Sequence, residues 1–257
     1  MHFTIAEIAG WVGSFMWPLL RIGGLVMALP AFSARNVPMQ IKLIFALVLT
    51  LIIAPVVPDV PDVDPISAEG LLIVLNQILI GVSMGFTLRI VFAALITAGQ
   101  MIALGMGLGF ASMVDPTNGV QVPVVSMFYS IIGILLFFSM NGHLVAIQVV
   151  ADSFISMPIA PSGISVDGYM DLVLWGTWIF AGAVLIALPA ITSILVVNLA
   201  FGVMTRASPQ LNIFAVGFPV IMTVGFALMM FSLGNVETHF LRLTNEGLTL
   251  MRQLVNL

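Results

Sequence analysis

Charged residues are spaced so widely along this chain that they leave uncharged windows at 43–58, 70–88, 90–114, 116–151, 172–205 and 207–236. Several of these windows can cross the hydrocarbon of a bilayer, about 30 Å, as a helix. Water is therefore not the main solvent of this polypeptide: 61% of its 257 residues are hydrophobic and 7% are charged, against about a quarter in ordinary soluble domains. The first ten residues carry Glu7 and no Lys or Arg, so they lack the basic start of a cleavable secretory signal. The first hydrophobic segment is expected to be retained.

Hydrophobic runs between breakers predict helices near 8–33, 38–56, 69–104, 123–140, 170–205 and 209–234, a short helix at 142–156 and an amphipathic tail at 236–256. The expected fold class is thus an all-α integral membrane protein, a single domain over 1–257 with six main hydrophobic helices. In the tail, Val236, Phe240, Leu243, Leu248, Met251 and Leu254 interleave with Glu237, Arg242, Glu246 and Arg252 at helical spacing, which predicts an apolar face against a partner or the interface. Arg35 and Lys42 in the first turn and Arg206 in the fifth, set against Asp59, Asp62, Asp64, Asp167 and Asp171 in the second and fourth connections, favour an external N-terminus; Arg242 and Arg252 pull the other way.

The stretch from Gly99 to Pro123 departs from this pattern. It is apolar, yet it holds Gly105, Gly107, Gly109, Pro116, Gly119 and Pro123 with Asp115 and Asn118 among them, so a regular helix is not expected to persist. Non-helical backbone at membrane depth survives only where protein buries it or where it lines an aqueous cavity. A pore loop and an ordinary helix connection both satisfy that rule.

Other features exclude chemistry. With no cysteine, disulfides and thiolate chemistry are ruled out. His2, His143 and His239 lie too far apart in sequence for ligand spacing, and the 17 methionines are dispersed as packing residues. No phosphate-binding loop, nucleophile elbow or zinc-protease motif occurs, so neither ATP nor peptide hydrolysis has a visible apparatus, and no cofactor is called for. Seven basic residues spread over the length make no nucleic-acid patch. Arg21, Arg89, Asp152 and Arg206 are charges near or within apolar runs, which suggests pairing or interface anchoring ahead of proton conduction. Gly81 and Gly85 have the small-xxx-small spacing that permits close helix approach, a spacing that chance also produces in apolar helices.

QILIGVSMGFTLRIVFAALITAGQMIALGMGLGFASMVDP (77–116) resembles the central signature of the FliR/SctT family of type III secretion export-gate proteins. WPLLRIGGLVMALPAF (17–32), VPMQIKLIFALVLTLIIAP (37–55), NGHL (141–144) and ALPAITSILVVNLAFGVMTRASPQLNIFAVGFPV (187–220) resemble it too, in the expected order, with the runs closer to the flagellar branch. The resemblance implies a gate in the bacterial inner membrane and flagellar basal body, built from one such chain, five copies of FliP and several of FliQ, in which this chain resembles a FliP–FliQ fusion. It further implies FlhB and FlhA as partners, unfolded flagellar proteins as cargo, and contact with membrane lipid. Within 105–122, the resemblance makes Met106, Gly107, Leu108, Gly109, Phe110, Ala111, Ser112, Met113, Val114 and Asp115 the plug of the closed channel. A small-solute transporter is the alternative, requiring paired broken helices and an internal repeat, and no clear repeat is found. An intramembrane enzyme would require clustered polar groups within the apolar spans; Asp152 alone does not make such a site.

Overall fold

The computed structural model describes residues 5–33, 37–58, 60–61, 63–108, 112–114, 121–207 and 217–257. Its helices are α1 (Ile5–Ala28), α2 (Pro30–Ser33), α3 (Met39–Ile53), α4 (Ala68–Gly105), α5 (Val124–Ser139), α6 (Gly142–Ser156), α7 (Val166–Trp175), α8 (Trp178–Ala207) and α9 (Phe218–Leu254), with two short strands, β1 (Ser112–Val114) and β2 (Gln121–Pro123). Among the described residues, four segments are long and apolar enough to cross a membrane: Met39–Val56, Ala68–Gly105, Val166–Ala207 and Phe218–Leu254. A fifth span is possible if α5 and α6, bent by 63°, count as one.

The corner between α5 and α6 is the NGHL segment. Asn141 takes the left-handed conformation (φ 57°), which its short polar side chain tolerates, and its carbonyl accepts from Leu144 and Val145 to start α6. His143 packs its ring 4.9 Å from that of Phe138. At the start of α4, Ser67 caps the helix by accepting from the Gly70 amide at 3.0 Å, and Glu69 places negative charge in the first turn, where the helix dipole favours it.

The chain divides into two compact units. One comprises 1–90, 138–176 and 244–257 and the other 91–137 and 177–243, so α4 and α9 supply residues to both. In the first, α1 lies directly on the N-terminal half of α4. A Cβ on Gly81 would sit 2.0 Å from the Arg21 carbonyl oxygen, and one on Gly85 2.6 Å from the Ala28 Cβ. Only hydrogen fits at such separations. Across this contact Arg21, wholly buried, donates from Nε to Gln77 Oε1 (2.8 Å), from Nη1 to Ser153 O (2.8 Å) and Oγ (3.0 Å), and from Nη2 to Met157 O (2.9 Å). Each of these acceptors is a neutral oxygen. Two are carbonyls at the C-terminal end of α6, where a cation complements the helix dipole, and the guanidinium also lies 4.3 Å over the Phe154 ring. Trp175 fixes α7 to α4 by donating to Thr87 O at 3.0 Å.

In the second unit, Phe92 meets Phe137 and Phe240 edge-on at 5.6 and 5.5 Å. Glycines again set the helix spacing: a Cβ on Gly99 would lie 2.6 Å from Ser126 Cα, and one on Gly182 2.9 Å from Leu243 Cδ1.

The tail differs from expectation. It is no separate element, because α9 runs unbroken through 236–254, and Val236, Phe240, Leu243, Leu248, Met251 and Leu254 are all buried within the chain itself. The helical periodicity holds, with Glu237, Arg242 and Arg252 exposed, but the apolar face packs on its own chain instead of awaiting a partner. Sequence periodicity identifies a face to be covered, not what covers it.

Gly81→Ala is expected to lower the thermal midpoint of the purified protein by forcing α1 off α4, at a cost of about 1–3 kcal/mol. Gly23→Ala is the control, since a Cβ there meets nothing within 4 Å, and it should be neutral or slightly stabilising. Arg21→Met should cost about 2–4 kcal/mol by leaving the Gln77 Oε1 and Met157 O acceptors without their donor, while Ser153 O keeps its bond from Met157 N, with Arg21→Lys recovering only part, since one ammonium cannot span the same acceptors.

Candidate functional site: the base of the glycine-rich loop

A helix that stops inside an apolar environment leaves its last four carbonyls without intrahelical partners, and hydrocarbon offers no substitute. At the end of α4 all four are satisfied. Ile102 O accepts from Met106 N (3.0 Å), Ala103 O from Leu108 N (2.8 Å), and Leu104 O from Gly107 N (3.1 Å). The fourth, Gly105 O, accepts from the side-chain amide of Asn198 on α8 at 3.2 Å. The bonds from Leu108 and Gly107 form a Schellman closure, which needs a left-handed residue after the helix, and Gly107 supplies it with φ +76°.

The turn is also packed. Met106 is fully buried, lying where a Cβ on Gly225 of α9 would approach its Cγ to 2.7 Å, so glycine at 225 makes the seat for the thioether side chain. Gly107 faces the Phe218 ring, which a Cβ would approach to 3.1 Å. Beside these residues is a cavity of about 420 Å³ whose lining includes Leu104, Met106, Asn198, Phe218 and Ile221. Beyond the turn, β1 and β2 pair antiparallel, Ser112 opposite Pro123, Met113 opposite Val122 and Val114 opposite Gln121. The ladder gives hydrogen-bond partners to backbone that is not helical.

Of the expected plug residues, Met106, Gly107 and Leu108 thus form the α4 terminus, and Ser112, Met113 and Val114 form a strand. Gly109, Phe110, Ala111 and Asp115 lie outside the described residues. The four singled-out charges are not brought together as a cluster: Arg21 is the buried node on α1, Arg89 is exposed on α4, Asp152 is half-buried on α6, and Arg206 is exposed in the last turn of α8. Sequence reading overlooked Asn198, Gln77 and Gly225. The signal for the first two is present, since Asn198 is a lone amide in a long apolar run and Gln77 stands with Asn76 in another, but which carbonyl or guanidinium each meets depends on a neighbouring helix.

These features define an all-α, multi-pass membrane protein whose longest described helix, α4, ends in a braced turn. Residues 12–247 match the family described as bacterial export proteins, family 1, and the chain belongs to it. It is 40% identical over 229 residues to the flagellar biosynthetic protein FliR of Escherichia coli (strain K12), covering 89% of this chain and 87% of that one. It is 32% identical over 216 residues to the protein of the same name from Aquifex aeolicus (83% and 82% covered), and 28% identical over 219 residues to that from Bacillus subtilis (84% of each).

Asn198→Leu is expected to orphan the Gly105 carbonyl and lower stability by about 1–3 kcal/mol. Gly107→Val should do at least as much through left-handed strain and the Phe218 contact, while Gly107→Asn, which tolerates positive φ, should be milder. Thermal unfolding of the purified variants ranks the three.

Proposed function

We infer that this chain is a structural and gating subunit of the flagellar type III protein export channel in the bacterial inner membrane, without a catalytic role of its own. Family membership and the names of its relatives support the flagellar export apparatus as its setting. The observation that carries the gating role is the loop base: a 38-residue apolar helix ends in a fully partnered turn and gives way to a two-stranded ladder before the next apolar helix begins. Backbone of that kind suits a cavity wall or its closure, and not a lipid-facing surface.

The burial of Met106 supports a division of labour within the plug. Met106, enclosed against Gly225, anchors the loop, and Gly107 turns it. Filling the lumen then falls to Leu108, Phe110 and Met113, whose apolar bulk prevents a hydrated path by occupying volume and by making the constriction unfavourable to wet. A seal of this kind yields when a polypeptide replaces the plug side chains, with the anchored end as its fixed point. Energy for export comes from other components.

The partners that fit are FliP in five copies and FliQ in several, with FlhB and FlhA adjacent and unfolded flagellar proteins as cargo. Exposed apolar side chains such as Ile52, Phe180, Leu199 and Phe231 give α3, α8 and α9 surfaces suited to sister helices or lipid.

Replacing Phe110 and Met113 together with Gly, while keeping Met106 and Gly107, is expected to raise ion conductance of membranes containing the assembled complex without changing its subunit composition. Deleting 106–113 should leak as well, though it also removes the anchor. An assembled double variant as tight as the parent would return 105–122 to a connecting loop.

A further inference from the structure

A groove of about 350 Å³ opens on the first unit between α1, α3 and the N-terminal half of α4. Its volume lies within the range of sites that hold small molecules, about 300–1,000 Å³. Its floor includes Val26 and Ala46, both buried, and its flanks include Met27, Met39 and Leu43, all exposed. Two adjacent glycines shape it in opposite ways. Gly24 is tight, since a Cβ there would come within 3.0 Å of the α4 backbone at Ile78 and Val82. Gly23 is open, with nothing within 4 Å of the position its Cβ would take. The groove is therefore open over residue 23 and closed at residue 24.

Among the described residues of these apolar walls stands one charged residue, Lys42, the only lysine in the sequence. It is the fourth residue of the apolar segment Met39–Val56, one turn from its end. A lysine there extends its methylenes along apolar surface and delivers its ammonium to headgroup depth. An apolar slot with a single cation at its interfacial end complements a molecule with a hydrocarbon tail and an anionic head. We propose that this groove binds an anionic phospholipid, with an acyl chain lying over Gly23 and the phosphate at Lys42. Bound there, the lipid covers the seam where α3 meets α1 and α4. The site is separate from the glycine-rich loop and does not depend on the gating assignment.

Native mass spectrometry of the full chain, purified with its partner subunits and mixed with phosphatidylglycerol or phosphatidylcholine of matched tails, tests this. Wild-type complexes should retain more phosphatidylglycerol than phosphatidylcholine. Lys42→Gln should weaken phosphatidylglycerol about fivefold and leave phosphatidylcholine unchanged, the effect of one basic residue near an anionic headgroup. Gly23→Leu should weaken both by more than about tenfold, since excluding even a couple of methylenes suffices for that. Gly23→Ala, whose Cβ meets no neighbour, serves as the folding control and should bind nearly as wild type. Equal retention of the two lipids together with an inert Lys42→Gln overturns the proposal, as does undiminished lipid on Gly23→Leu. Loss of a partner subunit from Gly23→Leu identifies the groove as a protein seat and overturns it equally.

Discussion

Every polar group of the backbone must find its partner inside the protein wherever water is excluded, and this one requirement organises the structure. It explains why the apolar runs are helices and why their interruptions are so heavily braced. Where α4 ends, three carbonyls are closed by the turn at Gly107 and the fourth by Asn198. Where α6 ends, the Arg21 guanidinium reaches across from α1 to the carbonyls of Ser153 and Met157. A side chain thus does at each of these helix ends what water does in a soluble protein.

The buried arginine shows how the same rule handles charge. A full cation in an apolar interior is costly unless its donors are occupied, and here neutral oxygens and an aromatic face occupy them. Such an arrangement ties three helices, α1, α4 and α6, to one point. It also favours a fixed structural charge over a mobile one, since a planar, permanently protonated group held on several sides is poorly suited to relay protons.

Glycine supplies the complementary half of the design. Without a hydrophobic drive between helices in lipid, tight backbone approach and dispersion must hold them together. Gly81 and Gly85 admit α1 onto α4, and Gly99 and Gly182 do the same in the second unit. Gly225 makes the seat of Met106, while Gly23 leaves space unfilled. Identical residues therefore close one contact and open another, according to what stands opposite.

Much of the architecture was legible before any coordinates. Uncharged windows mark the apolar helices, the sequence bounds α6 at 142–156, and the break after α4 follows from Gly105, Gly107 and Gly109. Helical spacing in the tail picked out the very side chains, Val236 to Leu254, that are buried. These features are local: they depend on periodicity, on charge and on backbone freedom, which neighbours in sequence carry. What covers the tail, which carbonyl Asn198 meets, why Met106 is enclosed and which glycine faces a helix or an opening depend on residues tens of positions away. Only tertiary structure decides them, because hydrogen bonds and steric contacts act over a few ångströms, and the fold chooses which distant segments come that close.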